Sequence, residues 1–367
     1  MRLRILLIYL TLGTLNSLAQ EPSTNEWRIS PSLKYDAFYF INAISKQDFY
    51  NRMYPRDALL WRGRLGEQTI NSINTIIDSI GSVGFKASYL FTHIPVFSLD
   101  DLIHALRDTA ILRDRIQSAS LLSKDFRYEA SINDLNRILP HSARLITIFS
   151  KMRDERWEDD WKAITHRLNA DIARKRRELT KHSPASLRTE ALRFLGIDAR
   201  QKDSSSTVYY VYYAFPNAFK LPYNMMATWS IEEPQYFFSA YLHEMLHLFS
   251  IYAPEFIELH NHLLKHSPAF SQQRNILVKQ LYASDDEFYV LAAEAFLSIK
   301  VGIRTHQQAV DYLKSANGGT VVYSLLIYDH LQKSFDYRRH SFGSFLKDVF
   351  FKNVTATEVE AFIADTK

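Results

Sequence analysis

The feature that most constrains this chain of 367 residues is an apolar run near its middle. The segment 237–252 reads FFSAYLHEMLHLFSIY, and its apolar side chains fall nearly all round a helix. A helix of that kind belongs in a protein interior. The few polar side chains inside the segment therefore need partners, because burying an unpaired polar group is costly.

Three of those polar residues, His243, Glu244 and His247, spell the pattern H-E-x-x-H. Residues four apart lie on the same face of a helix, so the two imidazoles can reach one point. The spacing favours Zn²⁺ as the cofactor, with His243 and His247 as ligands and Glu244 as the catalytic general base. The alternative is a structural helix whose histidines are satisfied by hydrogen bonds, since a motif this short also arises by chance.

The first twenty residues are typical of a secretory signal peptide. Arg2 and Arg4 precede an apolar run, and residues 17–19 form a small-residue cleavage site. We therefore expect residues 1–19 to be removed on export to the periplasm or the extracellular space. No stretch approaches the roughly 20 apolar residues that a membrane-spanning helix needs, so no membrane span is predicted.

Composition narrows the class of protein further. The chain contains no cysteine, and at this length it can bury enough apolar surface without disulfides. The formal charge of +4 falls to about +2 without Arg2 and Arg4, so nothing indicates a nucleic-acid partner. With 47% hydrophobic and 14% aromatic residues, the chain is globular.

The pattern along the chain predicts an α+β protein that is mainly helical. The segment 207–215, TVYYVYYAF, is β-branched and aromatic throughout and is predicted to be a strand. Together with a second short strand near residues 226–231, it would make a small antiparallel sheet. The regions in order are a signal peptide (1–19), a helical N-terminal region that starts as a polar surface leader (20–195), a catalytic region (196–335) and a C-terminal helical tail (336–367).

Capping residues predict where two of the helices begin. Ser98 is expected to be an N-cap, because Asp100 and Asp101 follow it and acidic residues are favoured in a first turn. Ser284 is expected to cap a second helix over residues 285–301 by the same reasoning.

A catalytic zinc usually has three protein ligands and a water molecule, so a third ligand is needed. The metzincin pattern requires a glycine and a histidine at positions occupied here by Ser250 and Ala253, which excludes it. Glu294 lies in the apolar middle of the helix over 285–301, where an unpaired carboxylate would be costly, and it is the favoured third ligand. Glu287, seven residues earlier on the same face, is the alternative.

The sequences HEMLH and, downstream, AEAFLS resemble the gluzincin group of zinc metallopeptidases over about residues 205–300. The resemblance implies a zincin-like catalytic region with an active-site helix, and a third ligand of the Glu294 type. Two positions differ from the usual gluzincin pattern: Ala293 stands where an asparagine often precedes the ligand, and Ser298 where an acidic residue often follows it.

The resemblance also implies that an exposed edge strand runs beside the metal and binds extended substrate. The segment 207–215 is the candidate for that strand. The alternative is that it is an interior strand of the sheet without a role in substrate binding.

The function expected from these features is zinc-dependent hydrolysis of peptide or protein substrates. The alternative is an exported zinc-binding protein that keeps the fold for binding or structure without hydrolysis. No spacing selects an oxyanion-stabilising residue from the downstream candidates, which are Tyr323, His330, Arg338, Arg339 and His340. A second cluster, His260, His262 and His266, is expected to lie on the surface, although an accessory metal site there is conceivable. The sequence does not indicate the oligomeric state.

Overall fold

The computed structural model describes residues 26–92, 94–122, 128–198, 207–215, 218–221, 225–248, 255–279 and 284–366. Within these ranges the protein is mainly helical with one small sheet, as predicted. The predicted signal peptide and Ser250 and Ala253 lie outside the described residues. In the described ranges, no helix combines the length and the apolar character needed to cross a membrane.

The sheet has the spatial order β1-β2-β4-β3. Its strands are β1 (Arg28–Pro31), β2 (Thr207–Tyr210), β3 (Ala218–Leu221) and β4 (Met225–Thr228). The pairs β1–β2 and β2–β4 are parallel, and only β3–β4 is antiparallel. The prediction of an antiparallel sheet is therefore wrong, because the two strands that the sequence predicts, β2 and β4, are parallel to each other. Residues 28–31, predicted to be part of a surface leader, add a further parallel strand beside β2.

Eleven helices lie between β1 and β2 in the described ranges. They are α1 (Leu33–Ile44), α2 (Asp48–Met53), α3 (Pro55–Leu65), α4 (Glu67–Ile80), α5 (Val83–Phe91), α6 (Leu99–Arg107), α7 (Thr109–Leu122), α8 (Tyr128–Ile138), α9 (Ser142–Asp154), α10 (Trp157–Leu179) and α11 (Pro184–Leu195). A 3₁₀ turn over Leu139–His141 joins α8 to α9.

The remaining described helices follow β4 and include the motif helix, α12. They are α12 (Pro234–Leu246), α13 (Glu255–His266), α14 (Pro268–Lys279), α15 (Glu287–Lys300), α16 (His306–Ser315), α17 (Tyr323–Ser334), α18 (Phe342–Phe345), α19 (Phe351–Asn353) and α20 (Ala356–Thr366). A 3₁₀ turn, Ala316–Gly319, follows α16, and a π-helical turn, Leu346–Phe350, follows α18.

Helix α1 lies at the centre of the protein, and all twelve of its residues are buried. Its two charged side chains have partners, as buried charges require. The Lys34 ammonium donates to the carbonyl oxygens of Phe91, the last residue of α5, at 2.7 Å and of Ile94, just beyond that helix, at 2.8 Å. The Asp36 carboxylate accepts hydrogen bonds from Trp161 on α10 and from Tyr213, so α1 connects α10 to the segment that follows β2.

Residues near the N-terminus of the described chain also position the motif helix. The Trp27 ring lies 4.8 Å from the rings of Phe237 and Tyr241 on α12, in edge-on contact with both. The Trp27 indole N–H donates to the His182 carbonyl oxygen at 2.8 Å, which holds the ring in place. On its other side α12 packs against α15, where Ala292, Ala293 and Ala295 are fully buried and allow close approach.

Candidate metal centre

Helix α12 presents the two imidazoles of the motif at one point. The helix begins at Pro234, and His247 follows its last residue with φ −61° and ψ −12°, so the four-residue spacing keeps helical geometry. The Nε2 atoms of His243 and His247 lie 3.2 Å apart. Ligand atoms of these residues and of Glu244 all lie within 4.8 Å of one another, and this group can hold a metal ion.

Glu287, the first residue of α15, brings a further donor to the same point. Its Oε2 atom lies 3.5 Å from Nε2 of His243 and 3.8 Å from Nε2 of His247. Donors placed about 2.0–2.1 Å from a tetrahedral zinc ion are about 3.3–3.4 Å from one another. Two imidazole nitrogens and a carboxylate oxygen separated by 3.2 to 3.8 Å therefore fit the chemistry and spacing of one zinc ion.

Glu294, the favoured third ligand in the sequence analysis, lies at the other nitrogen of the His243 ring. Its Oε2 accepts from His243 Nδ1 at 3.0 Å and from the Tyr312 hydroxyl at 2.8 Å. Its Oε1 accepts from Arg304 Nη1 at 2.8 Å and from the Ser239 hydroxyl. The structure thus places Glu294 behind His243 and brings Glu287, the alternative, to the Nε2 atoms.

The contacts of Glu294 also keep it ionised. Burial would raise the pKa of its carboxyl group, but the hydrogen bond from His243 and the charge of Arg304 lower that pKa to about 2. The reasoning that a carboxylate here must have partners is correct. Arg304 and Tyr312, which come from beyond the end of α15, supply partners that sequence reasoning missed, and no spacing in the sequence indicates them.

Asp286 lies at the Nδ1 atom of the second imidazole, that of His247, as Glu294 does at Nδ1 of His243. Its Oδ2 lies 3.3 Å from His247 Nδ1, and its Oδ1 accepts from the Ser284 hydroxyl. Ser284 was predicted to be the N-cap of this helix, but the N-cap is Asp286, without a side-chain cap bond, because its carboxylate turns towards His247. In the tautomer with the proton on Nδ1, each imidazole donates to its own carboxylate, and the Nε2 lone pairs are directed at the shared point.

Glu244 lies beside this point and is buried. Its Oε2 accepts the backbone N–H of Lys220 at 2.7 Å, which orients the carboxylate. Burial raises the pKa of Glu244 above its ordinary value, while the nearby His247 and His243 act in the opposite direction. A carboxylate with a raised pKa takes up a proton more readily, which suits a general base.

The strand beside Glu244 is β3, which carries Lys220 and is the last strand of the described sheet. The segment 207–215 does not take that place, because only Thr207–Tyr210 is a strand and it lies between β1 and β4. The prediction that this segment is the edge strand is therefore wrong. The alternative, that the segment supplies an interior strand of the sheet, is confirmed for the position of β2. Sequence patterns did not indicate β3, which is only four residues long.

Tyr236, in the first turn of α12, is a further residue near the site that sequence reasoning missed. Its hydroxyl is buried and has no hydrogen-bond partner among the described residues. Burial raises the pKa of Tyr236 to about 12, and the negative charges of Glu244 and Glu294 add to that rise. The hydroxyl therefore stays protonated near both carboxylates.

The structure does not bring the downstream candidates into contact with these residues. Tyr323 packs on the rings of Phe270 and Phe288, and His330 packs edge-on against Phe350. Of the second histidine cluster, His262 and His266 are exposed as predicted. His260 is buried instead, which contradicts the prediction, and burial lowers its pKa to about 4.

Comparison with known proteins finds no relative: no protein-family model, no curated protein and no solved structure matches the chain. The interpretation therefore depends on the group formed by His243, Glu244 and His247 and on the carboxylates around it.

Proposed function

We propose that this protein is an exported zinc-dependent peptidase with a gluzincin-like site. The observation that carries the proposal is the convergence of three donor atoms, His243 Nε2, His247 Nε2 and Glu287 Oε2, at separations suited to one zinc ion. Glu287 is proposed as the third ligand. Asp286 and Glu294 are proposed to hold the two imidazoles in place through their Nδ1 atoms.

The residues divide the proposed chemistry among them. A zinc ion bound there would lower the pKa of a water molecule and polarise the carbonyl group of a peptide bond. Glu244 accepts the proton of that water at its carboxylate and later donates it to the leaving amine. The hydrogen bond from the Lys220 N–H holds Oε2, so the carboxylate keeps its orientation during both proton transfers.

The test combines metal analysis with the variant Glu244→Gln. We expect about one zinc per chain in the wild type and in the variant, because Gln keeps the shape of the side chain and leaves the proposed ligands intact. Hydrolysis of a mixed peptide library should fall by about 10²- to 10⁴-fold in the variant, the usual contribution of a general base. Glu258→Gln, at an exposed position on α13, is the matched control and should behave as the wild type does.

Two outcomes would contradict the proposal. A wild-type protein that binds no zinc, even after reconstitution, would leave a buried helix with a coincidental motif. A protein that binds zinc tightly but cleaves no peptide would favour the alternative, a zinc-binding protein without hydrolytic activity.

A further inference from the structure

An aromatic pair lies on α5 and β3, one residue along β3 from the hydrogen bond to Glu244, and the proposed chemistry does not use it. Phe85 on α5 has half of its surface exposed, at 50%. Its ring meets that of Phe219 on β3 edge-on, with the ring centres 5.5 Å apart. Below them the buried ring of Tyr39 on α1 lies 5.8 Å from Phe219 and supports the pair.

This aromatic pair lies close to Glu244. Phe219 directly precedes Lys220, whose N–H donates to the Glu244 carboxylate at 2.7 Å. Consecutive residues of a strand are about 3.3 Å apart and direct their side chains to opposite faces. The Phe219 ring therefore lies on the α1 face of the sheet, one residue along the strand from the contact with the proposed general base.

Exposed apolar side chains are common when they occur singly, and such residues need no explanation. Phe97, at 84% exposed, and Leu59, at 79%, are examples in the same helical region. Phe85 differs from them because its ring contacts that of Phe219, the residue before the one that bonds to Glu244. A hydrophobic surface in that position suits binding of an apolar ligand group.

We propose that Phe85 and Phe219 form an apolar subsite that receives a bulky apolar side chain of the peptide substrate, within about two residues of the bond that is cut. This inference rests on the proposed peptidase function. An extended peptide that lies along β3 with its scissile bond at Glu244 would pass within a residue or two of the pair. Alternate side chains of that peptide would point to the face of the sheet that carries the Phe219 ring. The helical N-terminal region thereby contributes to substrate selection through α5.

The test measures kcat/KM on quenched fluorescent peptides in which a single Phe, against an Ala background, is moved through three positions on each side of the cleaved bond. The wild type should prefer Phe over Ala by about tenfold or more at one position, the range expected for a side chain filling an apolar pocket. Phe85→Ala should lower kcat/KM on the preferred Phe peptide about tenfold more than on the all-Ala peptide. Phe85→Tyr, which retains the ring, should keep most of the preference.

Phe97→Ala is the matched control, because it removes an equally large and more exposed ring from the same region. It should retain the wild-type preference, and all variants should bind zinc as the wild type does. Cleavage without a preference for Phe at any position, or an equal loss on both peptides in Phe85→Ala, would overturn the subsite while leaving the peptidase proposal intact. A wild type that binds zinc and cleaves none of these peptides, nor any in the mixed library, would overturn both.

Discussion

At the scale of single residues, the candidate centre depends on which nitrogen of an imidazole each carboxylate meets. Glu287 and Glu294 lie two turns apart on α15, and both approach His243. Glu287 faces Nε2, whereas Glu294 bonds to Nδ1. In the sequence, the only argument for Glu294 as the ligand was the cost of burying an unpaired carboxylate. That argument does not distinguish a carboxylate that binds zinc from one that bonds to an imidazole Nδ1, because either partner satisfies the buried group.

The two roles predict different effects on zinc affinity. Glu287→Gln should remove a ligand and leave zinc bound only weakly, whereas Glu294→Gln should retain zinc and weaken it about 10- to 100-fold, as is usual for outer partners of ligands. Competition with a chromophoric chelator would measure both dissociation constants. A Glu294→Gln protein without zinc, beside a Glu287→Gln protein that retains it, would reverse the assignment.

At the scale of secondary-structure elements, local sequence signals predicted features of α6 and α4 correctly. Ser98 is the N-cap of α6 and forms a capping box, in which its hydroxyl accepts from Asp101 N–H and the Asp101 carboxylate accepts from Ser98 N–H. The three- and four-residue spacing of isoleucines predicts one apolar face of α4, and four of the five are buried: Ile73, Ile76, Ile77 and Ile80, with Ile70 partly buried. These features depend on neighbours within one or two turns, which a single sequence displays.

The contact between α5 and α1 shows what such patterns do not reveal. A Cβ atom at Gly84 would lie 2.5 Å from the ring of Tyr39, and the Gly84 N–H donates to Asn42 Oδ1 at 2.8 Å. Gly84 therefore allows the two helices to approach closely. It is required by a partner more than 40 positions earlier in the chain, which no local pattern identifies.

A pair of Gly-to-Ala variants tests this contact. Gly84→Ala should destabilise the fold by about 1–3 kcal/mol, because the buried ring must move to admit the methyl group. Gly63→Ala, in the interior of α3 with nothing within 4 Å of the added atom, should instead stabilise the fold by about 0.5–1 kcal/mol. Urea unfolding would give both values, and equal effects of the two substitutions would contradict the close approach.

At the scale of the whole molecule, Asp36 joins three distant segments. Its carboxylate accepts the backbone N–H of Tyr213 at 2.9 Å and the indole N–H of Trp161 at 3.0 Å. Its side chain is fully buried, and burial raises its pKa to about 7, although the hydrogen bonds from Tyr213 and Trp161 lower it. A titratable contact therefore joins α1, α10 and the segment that follows β2.

This contact predicts a dependence of stability on pH. Between about pH 4 and pH 7 folded Asp36 holds a proton that the unfolded chain has lost, so its contribution to the free energy of unfolding falls as pH rises, by up to about 4 kcal/mol. Asp36→Asn should remove that part of the dependence. Urea unfolding across this range would measure it, with exposed Asp78→Asn as the control. Parallel curves for wild type and Asp36→Asn would contradict the raised pKa.

The sequence by itself determined the mainly helical character, the start of α6, the approximate position of α15, the buried motif helix and the approach of His243, Glu244 and His247. These follow from composition and from the 3.6-residue period, which act within a few turns of chain. Only the tertiary structure decided the mixed strand order, the place of β3 beside Glu244, the separate positions of Glu287 and Glu294 and the contact of Phe85 with Phe219. Each of these depends on which distant segments meet when the core closes, and local periodicity carries no information about that choice.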